Sequence, residues 1–245
     1  MMRPITVLFG MVAWMSVAAS VTSQNMFGVL RVASRTAETV IAVPWQAAGG
    51  GEVAVADYVK TANLTPGDML HAYDQATGAF TSWVLGPDKT WSGAVRVTTE
   101  GVTWTAGGKD STLARGKALV LVRQNPAAGD IFLYGEVSAS AAETKIVANA
   151  HNLLAPPCAA DVDLNAADVM TGTPDADDVI LLDLKTILSY NATDGKWGAV
   201  VYDRAQRKNV YDYAVAKVKA GTGAWYVSAG GTPTFTWVKA AGGAE

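Results

Sequence analysis

Two histidines, His71 and His151, are the only imidazoles in the chain. An activated serine or cysteine needs a base within hydrogen-bond reach and a third group to orient that base. His71 lies inside the alternating apolar run Met69 to Tyr73, and His151 starts a strand beside Asn152. No Gly-x-Ser-x-Gly elbow occurs. Both histidines therefore read as hydrogen-bonded strand residues, and the expectation is a chain without catalytic residues. Glycoside hydrolysis would need two carboxylates across a cleft. The glutamates are Glu38, Glu52, Glu100, Glu136, Glu143 and Glu245. Glu38 and Glu143 recur in similar surroundings, which suits a shared structural job at a turn or strand edge.

Aspartates are the candidates for a metal. Asp175, Asp177 and Asp178 form an alternating acidic loop, with Asp161, Asp163 and Asp168 upstream. Carboxylate oxygens so spaced suit a hard cation such as Ca²⁺. The EF-hand order is missing, with no Gly at the sixth place and no Glu at the twelfth. The competing expectation is a solvated turn whose carboxylates cap loop amides.

Trp91 follows Asp88-Lys89-Thr90 and Trp197 follows Gly195-Lys196, so both sit beside turns. A tryptophan exposed beside polar loops can stack on a sugar ring. Trp91 and Trp197 are the candidate ligand residues on that basis, while Trp225 and Trp237 read as core. Gly49-Gly50-Gly51 lacks the Lys and Ser/Thr of a phosphate loop. Gly221-Thr222-Gly223 leads into a strand, where a nucleotide fingerprint would lead into a helix. The lone Cys158 reads as a small buried apolar residue, and one cysteine cannot make an internal disulfide.

The elements that would position these residues are mostly short strands. Thr39 to Val43 is an apolar strand stopped by Pro44. Val53 to Thr61 fits one or two turns of helix. Met69 to Tyr73 and Phe80 to Leu85 flank Asp74-Gln75-Ala76-Thr77-Gly78, a hairpin signal. Val95 to Thr105 reads as two strands broken at Gly101. Ala118 to Val122 is apolar throughout, the mark of a strand buried on both faces. The Tyr190 segment, with Thr193-Asp194-Gly195, is a second hairpin.

Several residues recur at a spacing of 105: Val32 with Val137, Glu38 with Glu143, Thr39 with Thr144, Ile41 with Ile146, Gly116 with Gly221, and Phe132 with Trp237. Tyr73 and Tyr190 match at a spacing of 117. The expectation is an internal duplication. The fold class is all-β, with two tandem antiparallel β-sandwich-like repeat domains, about seven strands and one short helix in each. Domain one spans 24–137 and domain two 138–245.

Asn152-Leu153-Leu154-Ala155-Pro156-Pro157, Asp161-Val162-Asp163-Leu164-Asn165, and Lys219 through Gly221, Gly223 and Ala224 to Trp225-Tyr226-Val227 carry a resemblance. They are similar to the "W-N-L-[VI]-G-N-P-[YF] … D-[LW]-N … [IV]-x-[PA]-G-x-[GA]-F-W-[VL]" units of secreted and cell-surface proteins from Bacteroidetes, Verrucomicrobia and Kiritimatiellae-type bacteria. The first half carries a degenerate version around Trp45, Asp68 to Tyr73 and Ala114 to Leu119. The chain departs from the pattern at Ala150-His151 and with Ala155-Pro156-Pro157. The resemblance implies an extracytoplasmic β fold and brings no catalytic residues.

Residues 1–23 read as a secretory signal: Arg3, an apolar run from Ile5 to Ala19, and the small-x-small site Val21-Thr22-Ser23. No later stretch is long enough to span a membrane. Charged residues make up 17% of the chain, without a Lys/Arg run, which disfavours nucleic acid as a partner. The chain thus reads as an exported, non-catalytic structural or adhesive protein, secreted or on the cell surface. Its expected partners are further copies of itself or cell-surface polymers, with carbohydrate binding through Trp91 and Trp197 as the alternative. No cofactor is expected beyond the Ca²⁺ candidate.

Overall fold

The computed structural model describes residues 27–33, 37–43, 45–48, 50–98, 101–105, 111–137, 142–156 and 160–237. Residues 1–23, with the expected signal, Cys158, Gly49, Glu100 and the tail from residue 238 lie outside the described residues, as does the side chain of Trp104.

The first half holds β1 (Phe27–Val32), β2 (Glu38–Ala42), β3 (Trp45–Gln46), β4 (Val53–Ala54), α1 (Val55–Tyr58), β5 (Met69–Asp74), β6 (Ala79–Leu85), β7 (Trp91–Thr98), β8 (Gly101–Thr105), β9 (Thr112–Leu113), β10 (Ala118–Val122) and β11 (Ile131–Val137). The second holds β12 (Ala142–Lys145), β13 (His151–Leu154), β14 (Val162–Asp163), β15 (Met170–Thr171), β16 (Val179–Leu182), β17 (Thr186–Asn191), β18 (Lys196–Asp203), β19 (Lys208–Asp212), β20 (Lys217–Val218), β21 (Ala224–Val227) and β22 (Thr234–Trp237). The fold is all-β and antiparallel. Each half carries eleven named strands, more than the seven expected, because several two-residue side ladders are too short to alternate visibly in sequence.

The main sheet of the first half runs β2-β10-β5-β6-β7-β8, and that of the second runs β13-β21-β16-β17-β18-β19. Three-stranded sheets, β1-β11-β3 and β12-β22-β15, and two-stranded ladders, β4-β9 and β14-β20, complete the halves. The two main sheets wind in the same order, but the side strands do not, since β3 precedes β4 whereas β15 follows β14, and the register that the 105 spacing suggests does not hold throughout. That spacing holds along β10 and β21, where Gly116 and Gly221 precede matching strands. It fails for Glu38 and Glu143. Glu38 is on β2, whose counterpart is β13, whereas Glu143 is on β12. Tyr73 and Tyr190 also separate: the Tyr73 turn joins β5 to β6, and the Tyr190 turn joins β17 to β18.

Alternation along β2 and β10 builds two apolar layers. Ile41, Leu119 and Leu121 enter the first-half core with Tyr58, Leu70, Trp83 and Trp91. Val40, Ala42, Ala118 and Val120 face the other way and pack on Leu153 and Ala155, with Leu184 and Trp225 against them. β10 is thus buried on both faces because the second half covers its outer one. The second half has its own core around Trp197, Tyr226, Phe235 and Trp237. Trp225 belongs to the layer between the halves, not to that core, because it alternates with the core residue Tyr226 along β21.

The free edge of β2 is closed by the same contact. Ala42 N donates to Gly221 O at 2.9 Å, and Gly223 N donates to Val40 O at 3.1 Å. Gly221 has φ +71°, and a Cβ there would lie 2.3 Å from Leu30 Cδ2. Only glycine fits both demands.

The short helix expected over Val53 to Thr61 is the single turn α1. Among the described residues the second half has no α-helix, which corrects the expectation of one per half. At the matching place, Asn165 Nδ2 donates to Trp197 O at 2.9 Å, and Trp197 N donates to Asn165 Oδ1 at 2.7 Å. The side-chain amide pairs with the backbone of β18 as a strand would, and the surrounding chain turns to present it. No helix among the described residues is long and apolar enough to cross a membrane.

Candidate functional site

Trp91 and Trp197 occupy one position in two settings. Leu85 pairs with Trp91 across β6 and β7, and Tyr190 pairs with Trp197 across β17 and β18. Both tryptophans are buried. The Trp197 ring packs 5.2 Å from Tyr190 and 5.6 Å from Tyr226, and its Nε1 donates to Met170 Sδ. Neither ring offers a face to a sugar, so the stacking role assigned to them is corrected. Each is the first core-facing residue after a turn. Position beside a turn does not tell which face of the sheet a residue joins.

The acidic loop is likewise built for the fold. Asp178 is fully buried and accepts three hydrogen bonds: from Tyr226 Oη at 2.5 Å, Ala229 N at 2.6 Å and Asp175 N at 2.8 Å. Burial, then the bond to Asp178, holds the Tyr226 hydroxyl far above its ordinary pKa. Asp175 Oδ1 accepts from Asp177 N at 3.0 Å, and Asp177 is exposed. Upstream, Asp163 Oδ1 caps Asn165 N at 2.9 Å, and Asp161 pairs with Lys219 at 2.8 Å. That pairing, helped by the amide of Ala220, lowers the Asp161 carboxyl below its usual range. Asp168 is exposed. Among the described residues no three His, Cys, Asp or Glu side chains gather as metal ligands. In the structure Asp175 and Asp178 accept from loop amides and the Tyr226 hydroxyl, and Asp177 is exposed. They act as the turn that the competing expectation described, with Asp178 buried instead of solvated.

The first half contains the same device. Asp68 is fully buried; its Oδ2 accepts from Thr65 N at 2.8 Å and its Oδ1 from Gln124 N at 2.7 Å. Asp68 N in turn donates to Thr65 O at 2.9 Å, as Asp178 N does to Asp175 O at 3.1 Å. Each carboxylate ties the entry of β5 or β16 to the exit of β10 or β21. The sequence signal was present: a Pro-containing turn, then Asp, then an x-Leu or x-Ile start of strand. Asp68 and Asp178 are 110 apart, so a search at 105 passes over them.

One cleft brings together groups capable of chemistry. It lies between the halves, on the outer face of the first main sheet. Glu38, His71, Phe80, Ser82, Val120, Val122 and Trp225 line a volume of about 380 Å³. His71 and Ser82 are cross-strand partners on β5 and β6, and His71 Nδ1 lies 2.6 Å from Ser82 Oγ. Burial lowers the His71 pKa below 6.5, and Glu38 partly opposes that shift. The imidazole is therefore neutral near pH 7. His151 stands against Trp225, with ring centroids 6.2 Å apart.

A serine bonded to a histidine near a glutamate contains parts of an acyl-transfer centre, to which the amide of Ser82 itself does not contribute. Ser82 pairs with His71 on one side and Val95 on the other. Its backbone amide therefore lies in the plane of the ladder, not above the face where an oxyanion would form. Ser82 itself is buried. What the cleft can do is hold a small, mainly apolar group beside one hydrogen-bonding pair. The sequence missed this grouping because Glu38, His71 and Ser82 come from three strands, and Trp225 comes from the other half. Comparison with protein-family models, with curated proteins and with solved structures finds no match to the chain.

Proposed function

We propose that the chain is an exported, non-catalytic structural or adhesive β protein that associates with copies of itself through sheet edges. The single observation that carries this reading is where the exposed apolar side chains lie. Of seven large exposed hydrophobics among the described residues, four gather on β17 and β18: Ile187, Val200, Val201 and Tyr202. Large apolar side chains exposed along two neighbouring strands mark an interaction site. Export is supported by the signal pattern of residues 1–23, and the non-catalytic reading by the structural use of Asp68, Asp178, Trp91 and Trp197. The matched winding of the two main sheets supports an origin by duplication. The test is light scattering with electron microscopy on residues 24–245 over a wide concentration range. Ordered oligomers or filaments support the reading, and a monomer throughout removes it.

Carbohydrate is the second reading, moved to other aromatics. Tyr211 and Tyr213 lie 5.8 Å apart with rings nearly parallel, at 10°. Asn191 Nδ2 donates to Tyr213 Oη at 2.7 Å, and Asp194 accepts from the same hydroxyl. Parallel rings edged by amide and carboxylate groups match the apolar face and hydroxyl rim of a sugar. Loss of polysaccharide retention in Tyr211→Ala would support this reading, and unchanged retention would end it.

A further inference from the structure

The geometry points to β18 as the edge where a second copy of this chain adds a strand, an inference that rests on the self-association reading above. In the first half, β6 and β7 pair at Leu85 with Trp91 and Val84 with Ser92. They pass a bulge, then pair again from Ser82 with Val95 to Phe80 with Val97. In the second half, β17 and β18 pair only from Asn191 with Lys196 to Ser189 with Gly198. There the strands part, and the Tyr213 ring lies over Gly198. β17 itself runs back to Thr186, beside the turn at Asp183 and Leu184, both with positive φ, but its ladder with β18 ends at Ser189. β18 runs on from Ala199 to Asp203 with β19 as its one ladder partner among the described residues.

This leaves a five-residue edge on which alternate residues turn their N–H and C=O groups away from β19. Its side chains are exposed on both faces, with Val200 at 47%, Val201 at 43% and Tyr202 at 62%. In the first half the same place is filled by β6, so the fold has a strand-shaped position there. Three other described edges, β2, β1 and β19, are guarded in the ways β proteins use against pairing. β2 is closed by Gly221 and Gly223. β1 carries Arg31, held to Asp130. β19 begins with Lys208 and ends with Asp212.

The occupant we infer is the β18 edge of another copy. An antiparallel edge is self-complementary about a two-fold axis, so one strand can serve as both donor and acceptor. Such pairing places Val and Tyr against Val and Tyr, the side-chain pairs that stabilise sheets.

Residues 24–245 are studied by light scattering and hydrogen exchange at rising concentration, beside Val201→Lys, Tyr202→Lys and Val29→Lys. Val29 is 59% exposed on β1 and serves as the control edge. All three sites are exposed, and circular dichroism checks the fold of each variant. The expected result is a dimer in which those amides of 199–203 that turn away from β19 become protected as concentration rises. Val201→Lys and Tyr202→Lys should each raise the dissociation constant at least about tenfold, since the two-fold brings the new charges together, and Val29→Lys should leave it unchanged. If association persists in the β18 variants, or falls only in Val29→Lys, this edge is wrong while self-association stands. Concentration-independent protection of those amides in 199–203 that turn away from β19 means that the chain's own segments cover the edge, which overturns the inference. A wild-type monomer at every concentration removes the self-association reading and the edge with it.

Discussion

Replacing Asp178 by alanine tests whether this carboxylate is a structural lock or a cation ligand. Its two oxygens accept from Tyr226 Oη, Ala229 N and Asp175 N. Hydrogen bonds to a charged acceptor contribute about 1.5–3 kcal/mol each, and a buried donor left without a partner costs about 1–3 kcal/mol. Asp175 and Ala229 are exposed, so water can replace their lost acceptor. Tyr226 is fully buried, so its hydroxyl cannot be rescued in that way. The largest part of the loss therefore comes through Tyr226. The expected total is about 4 kcal/mol, a large share of the roughly 5–15 kcal/mol of a typical domain. For a chain of this size that corresponds to a fall in Tm of about 10 °C. The assay is urea and thermal unfolding followed by tryptophan fluorescence, on Asp178→Ala, Tyr226→Phe and the double variant. Tyr226→Phe removes the donor and the need for it together, so it should cost about 1–2 kcal/mol. The double variant should cost less than the sum of the two. Millimolar Ca²⁺ should leave the wild-type Tm unchanged. The reasoning is refuted if Asp178→Ala loses under about 1 kcal/mol, or if Ca²⁺ raises the wild-type Tm saturably and Asp178→Ala abolishes the rise.

Trp91→Ala and Trp197→Ala should each destabilise by about 3–5 kcal/mol, the range for a large aromatic deleted from a packed core. Denaturant unfolding reads this, and an unchanged Tm in either variant would place the ring at the surface. Gly221→Ala should loosen the seam between the halves, because its φ of +71° and the 2.3 Å approach to Leu30 Cδ2 both oppose a Cβ. Amide exchange at Val40 and Ala42 should accelerate in that variant, and unaltered exchange would show that the seam does not need this glycine. His71 is held neutral, with a pKa below 6.5 in the folded state. The unfolded chain then binds the proton more readily, so the stability His71 contributes is present above about pH 6.5 and is lost as pH falls toward the folded-state value. Unfolding between pH 7 and 5 should show this loss, and His71→Gln should flatten it; an identical slope in the variant would count against the assignment.

The class of the fold was legible in the residues. β10 is read in sequence over the very bounds it has, because a strand covered on both faces needs apolar residues at every place. The Asp74 to Gly78 turn and its flanking strands were legible too, since turn chemistry is local. The matched position of Gly116 and Gly221 also followed from spacing. The roles of Trp91, Trp197, Asp175, Asp177 and Asp178 were not legible. Residue type and nearness to a turn are local facts, whereas the face a side chain joins depends on which strand its own strand pairs with. Asp178 became a lock only when β21 brought Ala229 and Tyr226 to it. The cleft needed four strands of one half, β2, β5, β6 and β10, and Trp225 of the other to meet. The edge of β18 depends on a ladder with β17 that ends at Gly198, which only strand pairing can reveal. Composition and alternation determine that such a chain forms sheets. Long-range pairing decides which side chains are buried, which meet and which edges stay free, because those contacts join residues far apart in the chain.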